Sequence, residues 1–250
     1  MHRKCAHLLA VLALATTAGP AAALTLDFDD VGEGFVHGSK VDASQGVTIT
    51  TLNFNPATGH PNQAVAFDTT RTGPTADPDL QQGSGWAKGN LAPATVLDNI
   101  LIIQENTTGC TTGVCTDPDD EGRRAAGSFT LDFDPSGLGI RFQTFAFDLV
   151  DVEGASMENG SVEFLLGGSQ VGLFDFDHFL TLGQSVDYGN RSANRVDLGI
   201  VGEYDEVVIT MGGSGGVDNI LVLVPEPRSF ALLGLGLVGL ALLGRVKRSG

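Results

Sequence analysis

Hydrophobic residues in the middle of the chain alternate with polar ones over short runs, as in the Thr-Leu-Asp-Phe-Asp stretch that begins at Thr25. Alternation of this kind places every second side chain on one face and predicts half-buried β-strands. About eleven such runs, separated by Gly, Asp, Asn and Pro, predict an all-β fold, either a sandwich or a barrel. The runs cover residues 25–29, 46–54, 64–67, 99–104, 127–133, 140–149, 161–165, 170–174, 196–200, 206–211 and 217–224.

The first 23 residues have the three parts of a secretory signal peptide. A positively charged start is followed by an apolar run at residues 8–15 and by three alanines at 21–23. Small residues at these positions suit a signal peptidase. We therefore expect export from the cytoplasm and cleavage after Ala23, which leaves Leu24 as the first mature residue.

The other end of the chain resembles a membrane segment. Residues 230–244 are uncharged and mostly apolar, and the basic residues Arg245, Lys247 and Arg248 follow at once. The segment is short, because a comfortable span takes about 20 residues. Basic residues beside a span indicate its cytoplasmic end, which agrees with a body outside the cell. We expect one short transmembrane helix that holds the chain in the membrane until processing.

Pro225, Glu226 and Pro227 stand just before this segment. The Pro-Glu-Pro motif, the short Gly- and Leu-rich span and the basic end together resemble the PEP-CTERM sorting tail. The resemblance implies an exosortase-type membrane protease as partner, removal or transfer of the tail on export, and a Gram-negative-type host that makes exopolysaccharide. The expected parts are a signal peptide at 1–23, a β-sandwich domain at 24–224 and a sorting tail at 225–250.

Negative charge is concentrated between the two ends. Of the 30 acidic residues only Glu226 lies outside residues 24–224, and only 8 of the 14 Lys and Arg lie inside, so this part has a net charge of −21. Such a surface repels nucleic acid and anionic headgroups and attracts divalent cations. Acidity that only keeps a secreted protein soluble is the alternative.

Two long loops without strand character, at residues 69–96 and 105–126, carry much of this charge. Calcium binds six to eight oxygen ligands, which carboxylates and carbonyls on Gly- and Pro-bent loops supply. The candidate calcium ligands are Asp77, Asp79, Asp117, Asp119 and Asp120. The spacing is not that of an EF-hand, and solvated turns rich in Asp remain the alternative.

Cys110 and Cys115 lie in the second loop, and Cys5 is lost with the signal peptide. Two remaining cysteines in an oxidising compartment predict a disulfide. A small loop closed in this way stabilises the fold by roughly 2 kcal/mol on the loop-entropy model.

The opening of the body around Asp29 and Asp30 and its close around Asp218 resemble the first and last strands of galactose-binding-like jelly rolls. The resemblance implies a jelly-roll sandwich with a structural calcium where those strands meet, held by Asp218 and by Asp29 or Asp30. Many carbohydrate-binding modules share this fold, but they stack sugars on aromatic platforms. Trp86 is the one tryptophan of this chain and the candidate ligand-binding residue.

Catalytic motifs are weak. The sequence around Ser214 fits G-x-S-x-G, but a nucleophile elbow needs a following helix and a later histidine, whereas a strand is predicted and His178 is the last histidine. His37, His60 and His178 are scattered without metal-ligand spacing. We assign no catalytic residue.

The sequence thus favours a non-enzymatic extracellular β-sandwich that acts in the cell envelope or exopolysaccharide matrix with bound calcium. The expected partners are the sorting protease and exopolysaccharide. A carbohydrate-binding module and a secreted glycan hydrolase, with paired carboxylates, remain the alternative functions.

The sorting motif can be tested directly. In a host that has the protease, Glu226→Ala is expected to leave full-length protein in the membrane fraction, because the motif is no longer recognised. Immunoblotting of cell fractions measures this, with Glu33→Ala in the body as control. Unchanged processing of the Glu226 variant would count against recognition of the motif.

Overall fold

Two antiparallel β-sheets make up most of the structure, a computed structural model that describes residues 23–37, 46–55, 60–73, 77–111, 113–154 and 158–223. In chain order the elements are β1 (Ala23–Leu26), β2 (Val36–His37), β3 (Thr48–Asn53), β4 (Ala64–Asp68), β5 (Asn99–Ile103), β6 (Cys110–Thr111), β7 (Val114–Cys115), β8 (Gly127–Asp132), β9 (Phe142–Val150), β10 (Ser161–Leu166), β11 (Ser169–Asp175), α1 (Phe176–Phe179), β12 (Ala193–Tyr204), β13 (Glu206–Met211) and β14 (Gly216–Leu223).

The larger sheet has the strand order β12-β9-β14-β5-β4-β2, and β1 also pairs with β14. The smaller sheet has the order β11-β10-β13-β8-β3, and β6 and β7 form a separate hairpin. One edge of β14 is shared by two partners, because Gly216 and Val217 pair with β5 whereas β1 pairs from Ile220 to Leu223. The first and last strands of the body therefore lie side by side.

Alternate residues of both sheets form the main core. In β13, Val207, Ile209 and Met211 are buried and the residues between them are partly exposed, while Phe145 and Phe147 of β9 face them from the other sheet. Aromatic rings dominate this core, and such pairs add about 0.5–1.5 kcal/mol beyond the area they bury. The apolar alternation of the sequence thus becomes the inner face of a sandwich.

A second apolar cluster covers the outer face of the larger sheet. This cluster explains why the sequences of β4 and β5 are continuously apolar, because a strand that is buried on both faces has no polar side. The cluster joins residues of the sheet with residues of the long loop between β4 and β5, namely Val65, Phe67, Ile100, Ile102 and Val150 with Leu80, Trp86 and Leu97. The loop is therefore packed down over its middle part.

The predicted all-β antiparallel sandwich is confirmed, and each of the eleven predicted runs overlaps a strand. Strands β2, β6 and β7 are not predicted by the sequence pattern, because they have two residues each and are too short to show alternation. Strand β12 is longer than the predicted run at 196–200, and its twelve residues include Gly199 and Gly202 and two shifts of register against β9.

Several expectations concern residues outside the described part. The signal peptide up to Ala22 and the sorting tail with Pro225, Glu226 and Pro227 lie there, so those expectations stay predictions. Ala23, the last residue before the predicted cleavage, is the first residue of β1. Among the described residues no helix has the length and apolarity to cross a membrane.

A substitution at Phe164 of β10 tests how much this aromatic packing contributes to stability. Its side chain is fully buried, and its ring contacts the rings of Phe145, Phe174 and Tyr204. Phe164→Ala is expected to lower the free energy of unfolding by about 3–5 kcal/mol, because it leaves a cavity among these rings. Urea denaturation measures the change. The control, Ile200→Ala at a side chain that is 79% exposed, is expected to stay within about 0.5 kcal/mol of the parent; equal effects would contradict the packing.

Candidate metal centre

A disulfide-bonded hairpin fixes the start of the acidic loop. Cys110 of β6 and Cys115 of β7 are joined by a disulfide, as predicted. The hairpin lies against the edge of the larger sheet, where the backbone N–H of Cys115 donates to the carbonyl of Gly34 at 2.7 Å and that of Val36 to Gly113 at 2.9 Å. Gly34 has φ +75°, and a Cβ there would lie 1.8 Å from the carbonyl oxygen of Cys115. Only glycine allows this approach.

The loop then returns along the end of β5. The backbone N–H of Glu105 donates to the carbonyl of Asp119 at 2.9 Å, and the N–H of Glu121 donates to the carbonyl of Ile103 at 2.8 Å. The side-chain amide oxygen of Gln104 accepts from the N–H of Asp119 at 3.2 Å. Acidic side chains of the loop are thereby held in register with the end of a strand.

Asp77, Asp119 and Asp120 come together at this place. One carboxylate oxygen from each lies within 4.8 Å of the other two. Asp120 is 5% exposed, and its Oδ2 accepts a short hydrogen bond from the N–H of Gly215 in the β13–β14 turn. Asp77 comes from the other long loop, where its Oδ1 accepts from the N–H of Asp79 at 2.8 Å. We call Asp77, Asp119 and Asp120 the carboxylate triad. Its members come from the two long loops, and the β13–β14 turn contacts it through Gly215.

Burial and repulsion from neighbouring carboxylates oppose ionisation of Asp119 and Asp120. Burial raises the pKa of Asp120 well above its usual value, and the hydrogen bond and charge of Asp77 raise it further. The pKa of Asp119 is raised to about 6, first by burial and then by the neighbouring Glu105. Nearby, burial raises the pKa of Asp151 to about 8, and the charges of Asp79 and Asp77 add to the effect. Without a cation, burial therefore favours the protonated forms of Asp120 and Asp151.

Two of the predicted ligands lie beside the triad rather than in it. Asp117 is partly buried, its charge raises the pKa of Asp119, and its Oδ1 is buried without a hydrogen-bond partner among the described residues. The backbone of Asp79 donates to Asp77. Of the five carboxylates predicted in the two loops, the structure therefore gathers three within ligand distance of each other.

The second predicted site, Asp29 with Asp218, is arranged differently. Asp218 is 1% exposed, its Oδ2 accepts from the side-chain amide of Asn219 at 2.8 Å, and its Oδ1 has no partner in the described residues. Burial raises the pKa of Asp218 to about 9, and the charges of Asp148 and Asp29 add to this. Asp29 is exposed and accepts from the N–H of Asn99 at 3.0 Å. Neither belongs to a group of three ligand atoms within 4.8 Å among the described residues.

Trp86, the candidate for sugar stacking, is a core residue. It is 4% exposed in the second apolar cluster, and its indole N–H donates to the carbonyl of Thr95 at 2.9 Å. The ring therefore presents no flat face to a ligand. An open cavity of about 290 Å³ lies nearby without an aromatic wall, lined by Gln82, Gly83, Ser84, Gly85, Pro93 and Ala94.

The structure contains a second group of ligand atoms that the sequence pattern does not predict. His60, Glu105 and Glu121 each place one ligand atom within 4.8 Å of the other two. The histidines look scattered in the sequence because His60 and Glu121 are 61 positions apart. The pairing of β4 with β5 was the signal that could have found the group, since it brings His60 and Glu105 to the same end of the sheet.

No family model matches the chain. No curated protein matches it. The class of this protein is therefore defined by its fold and site alone: it is an antiparallel β-sandwich with carboxylates clustered at one end of its larger sheet.

The raised pKa values predict how stability depends on pH. The pKa of Asp218 is 3.8 in its ordinary state and about 9 in the fold, so the folded chain binds a proton that the unfolded chain releases between these values. The contribution of Asp218 to the free energy of unfolding is complete below the pKa of the unfolded chain and is lost as pH rises through the pKa of the folded chain. The melting temperature of the metal-free chain is therefore expected to fall from about pH 5 to about pH 9.

Asp218→Asn is expected to make this slope shallower, because the amide is neutral throughout. Differential scanning calorimetry in chelator measures the slope, with Asp175→Asn at an exposed position as control. Equal slopes in the parent chain and the Asp218 variant would contradict the assignment.

Proposed function

We propose that this protein is an exported, exosortase-sorted β-sandwich that acts without catalysis in the cell envelope or exopolysaccharide matrix, and that its acidic loops bind calcium. The observation that carries the proposal is the carboxylate triad, in which Asp77, Asp119 and Asp120 converge from two loops. The N-terminal signal and the PEP-CTERM-like tail supply the address. The triad supplies a reason for the unusual acidity of the body.

Calcium suits this site because of its ligand chemistry. It accepts six to eight oxygens in flexible geometry, whereas magnesium demands a near-ideal octahedron and loses its water reluctantly. The triad offers carboxylate oxygens on loops, the charge of Asp117 acts on Asp119, and the backbone N–H of Asp79 donates to Asp77. Extracellular calcium modules bind with dissociation constants of about 10⁻⁴ to 10⁻³ M, so an external location and this chemistry agree.

An ion at the triad would tie three parts of the chain together. Asp77 belongs to the loop over the outer face of the larger sheet, and Asp119 and Asp120 belong to the loop that follows the disulfide hairpin. Gly215, in the turn before β14, is already bound to Asp120. A cation that neutralises the carboxylates would remove the repulsion between them and make the loops rigid.

A second calcium position at Asp29 and Asp218 is part of the proposal. Its support is the antiparallel pairing of β1 with β14, in which Leu26 lies opposite Ile220, so that the first and last strands of the body are neighbours. The unpartnered and buried Oδ1 of Asp218 is a further support, because a buried carboxylate oxygen ordinarily has a partner. Asp29 approaches it from the end of β1, and its charge acts on Asp218.

The burial of Trp86 bears on the alternative of sugar binding. Replacing a buried tryptophan disturbs the fold itself, so loss of polysaccharide binding in a Trp86 variant would not identify a sugar site. The proposed matrix role therefore rests on the export signals and the cation chemistry, and polysaccharide retention is measured with the parent chain.

Calcium stabilisation tests the proposal. With full-length protein in mild detergent, calcium at a hundredfold excess over its dissociation constant is expected to add about 2.7 kcal/mol. For a body of this size that raises the melting temperature by roughly 5–10 °C. Scanning calorimetry in chelator, calcium or magnesium at matched ionic strength measures the effect.

Asp120→Asn separates calcium binding from charge screening. The amide keeps an acceptor for Gly215 and removes a carboxyl group whose burial opposes ionisation, so the metal-free chain should melt at the same or a higher temperature while the calcium increment shrinks. Asp175→Asn at the surface is the matched control. A calcium increment no larger than that of magnesium, or one that Asp120→Asn leaves intact, would reduce the triad to a solvated acidic surface.

A further inference from the structure

A mixed group of nitrogen and oxygen ligands lies next to the carboxylate triad. His60, Glu105 and Glu121 place one ligand atom each within 4.8 Å of the other two. The side chain of Glu121 is 0% exposed and that of His60 is 10% exposed. Nδ1 of His60 makes a short contact with Oε2 of Glu121. A buried carboxylate and an imidazole thus face each other, with a second carboxylate beside them.

The topology of the larger sheet creates this group. Ala64 of β4 pairs with Ile103 of β5 in an antiparallel ladder, so His60, just before β4, and Glu105, just after β5, reach the same end of the sheet. Glu121 is brought to this end by its backbone N–H, which donates to the carbonyl of Ile103 at 2.8 Å. The three side chains therefore converge for reasons independent of their charge.

Further hydrogen bonds orient the buried carboxylate. The side-chain amide of Asn53 donates to Oε2 of Glu121 at 2.9 Å and to the carbonyl of Gln104 at 3.2 Å. The backbone N–H of Arg123 donates to Oε1 of Glu121 at 2.9 Å. Asn53 is itself 1% exposed. Outer partners of this kind fix the direction of a metal-binding carboxylate and are a regular feature of metal centres.

We propose that His60, Glu105 and Glu121 form a binding site for a divalent first-row transition ion, of which zinc is the representative. An imidazole nitrogen with carboxylate oxygens is a zinc-type ligand set, with bonds of about 2.0–2.2 Å, and the three candidate ligand atoms lie within 4.8 Å of one another. Calcium prefers a shell made of oxygen alone. The site goes beyond the proposed calcium function and does not depend on it.

The two groups of ligands adjoin each other. A hydrogen bond links Glu105 to Asp119, and the charge of Glu105 also raises the pKa of Asp119. A transition ion held by Glu105 would lower the negative potential at Asp119 and so compete with the attraction of calcium to the triad. The structure thus offers a harder, oxygen-only position and a softer position with one nitrogen, side by side.

The experiment uses full-length protein in mild detergent, stripped with chelator and titrated with cobalt(II) and with zinc. Cobalt reports through its visible absorption, and zinc through calorimetry and displacement of cobalt. We expect one tight equivalent in the parent chain. His60→Ala and Glu105→Gln are each expected to weaken binding by more than about tenfold, since even loss of an outer partner costs 10–100-fold. His178→Ala, which removes an exposed histidine far along the chain, is the matched control.

The outcomes separate this site from the calcium proposal. Loss of cobalt binding in His60→Ala, with the calcium increment in melting temperature retained, supports the inference even if the triad proves to bind no calcium. Binding that His60→Ala leaves unchanged, or that only Asp120→Asn removes, would place the ion elsewhere and overturn it. Absence of binding in the parent chain would also overturn it and leave His60 and Glu121 as a buried hydrogen-bonded pair. Glu105→Gln changes a partly exposed side chain, so it decides the matter if His60→Ala fails to fold.

Discussion

Confined negative charge is the constraint around which the end of the larger sheet is organised. Asp120 and Glu121 are buried next to each other in sequence, and Asp77, Asp119 and Glu105 approach them from neighbouring segments. Taking ionised carboxylates out of water is costly unless protons, hydrogen bonds or cations compensate. Hydrogen bonds supply part of this compensation: the N–H of Gly215 donates to Asp120, and the imidazole of His60 is hydrogen-bonded to Glu121.

The loops that carry these carboxylates also contribute apolar side chains to the second apolar cluster. The loop that carries Asp77 continues into Leu80, Trp86 and Leu97, which cover the outer face of the larger sheet, and Cys115 of the disulfide hairpin belongs to the same cluster. Because these apolar side chains pack against the sheet, the loops are held on its surface and their carboxylates lie close together. Ion binding and packing are coupled here, because a change in the charge of the triad acts on loops that also close the second core cluster.

The strands could be predicted from the sequence, and so could some of the residues of the site. Alternation located β13 and the other core strands because one face of each is buried. It located Asp77, Asp119 and Asp120 because acidic residues in bent loops are recognisable by composition. It failed for His60, whose partners depend on the β4–β5 register, and for Trp86, because nothing in the sequence indicates whether a lone tryptophan is buried or displayed.

The pairing of β1 with β14 has a mechanical consequence. Ala23 lies opposite Leu223, so the two termini of the sandwich emerge beside each other. β14 has β9 along one edge and β5 and then β1 along the other, so it is gripped on both sides. A force applied at Leu223 along the axis of β14 would load these ladders in shear, many hydrogen bonds at once. A force directed across the sheet would instead break the hydrogen bonds of β14 one after another, so these ladders resist best when β14 is pulled along its own axis.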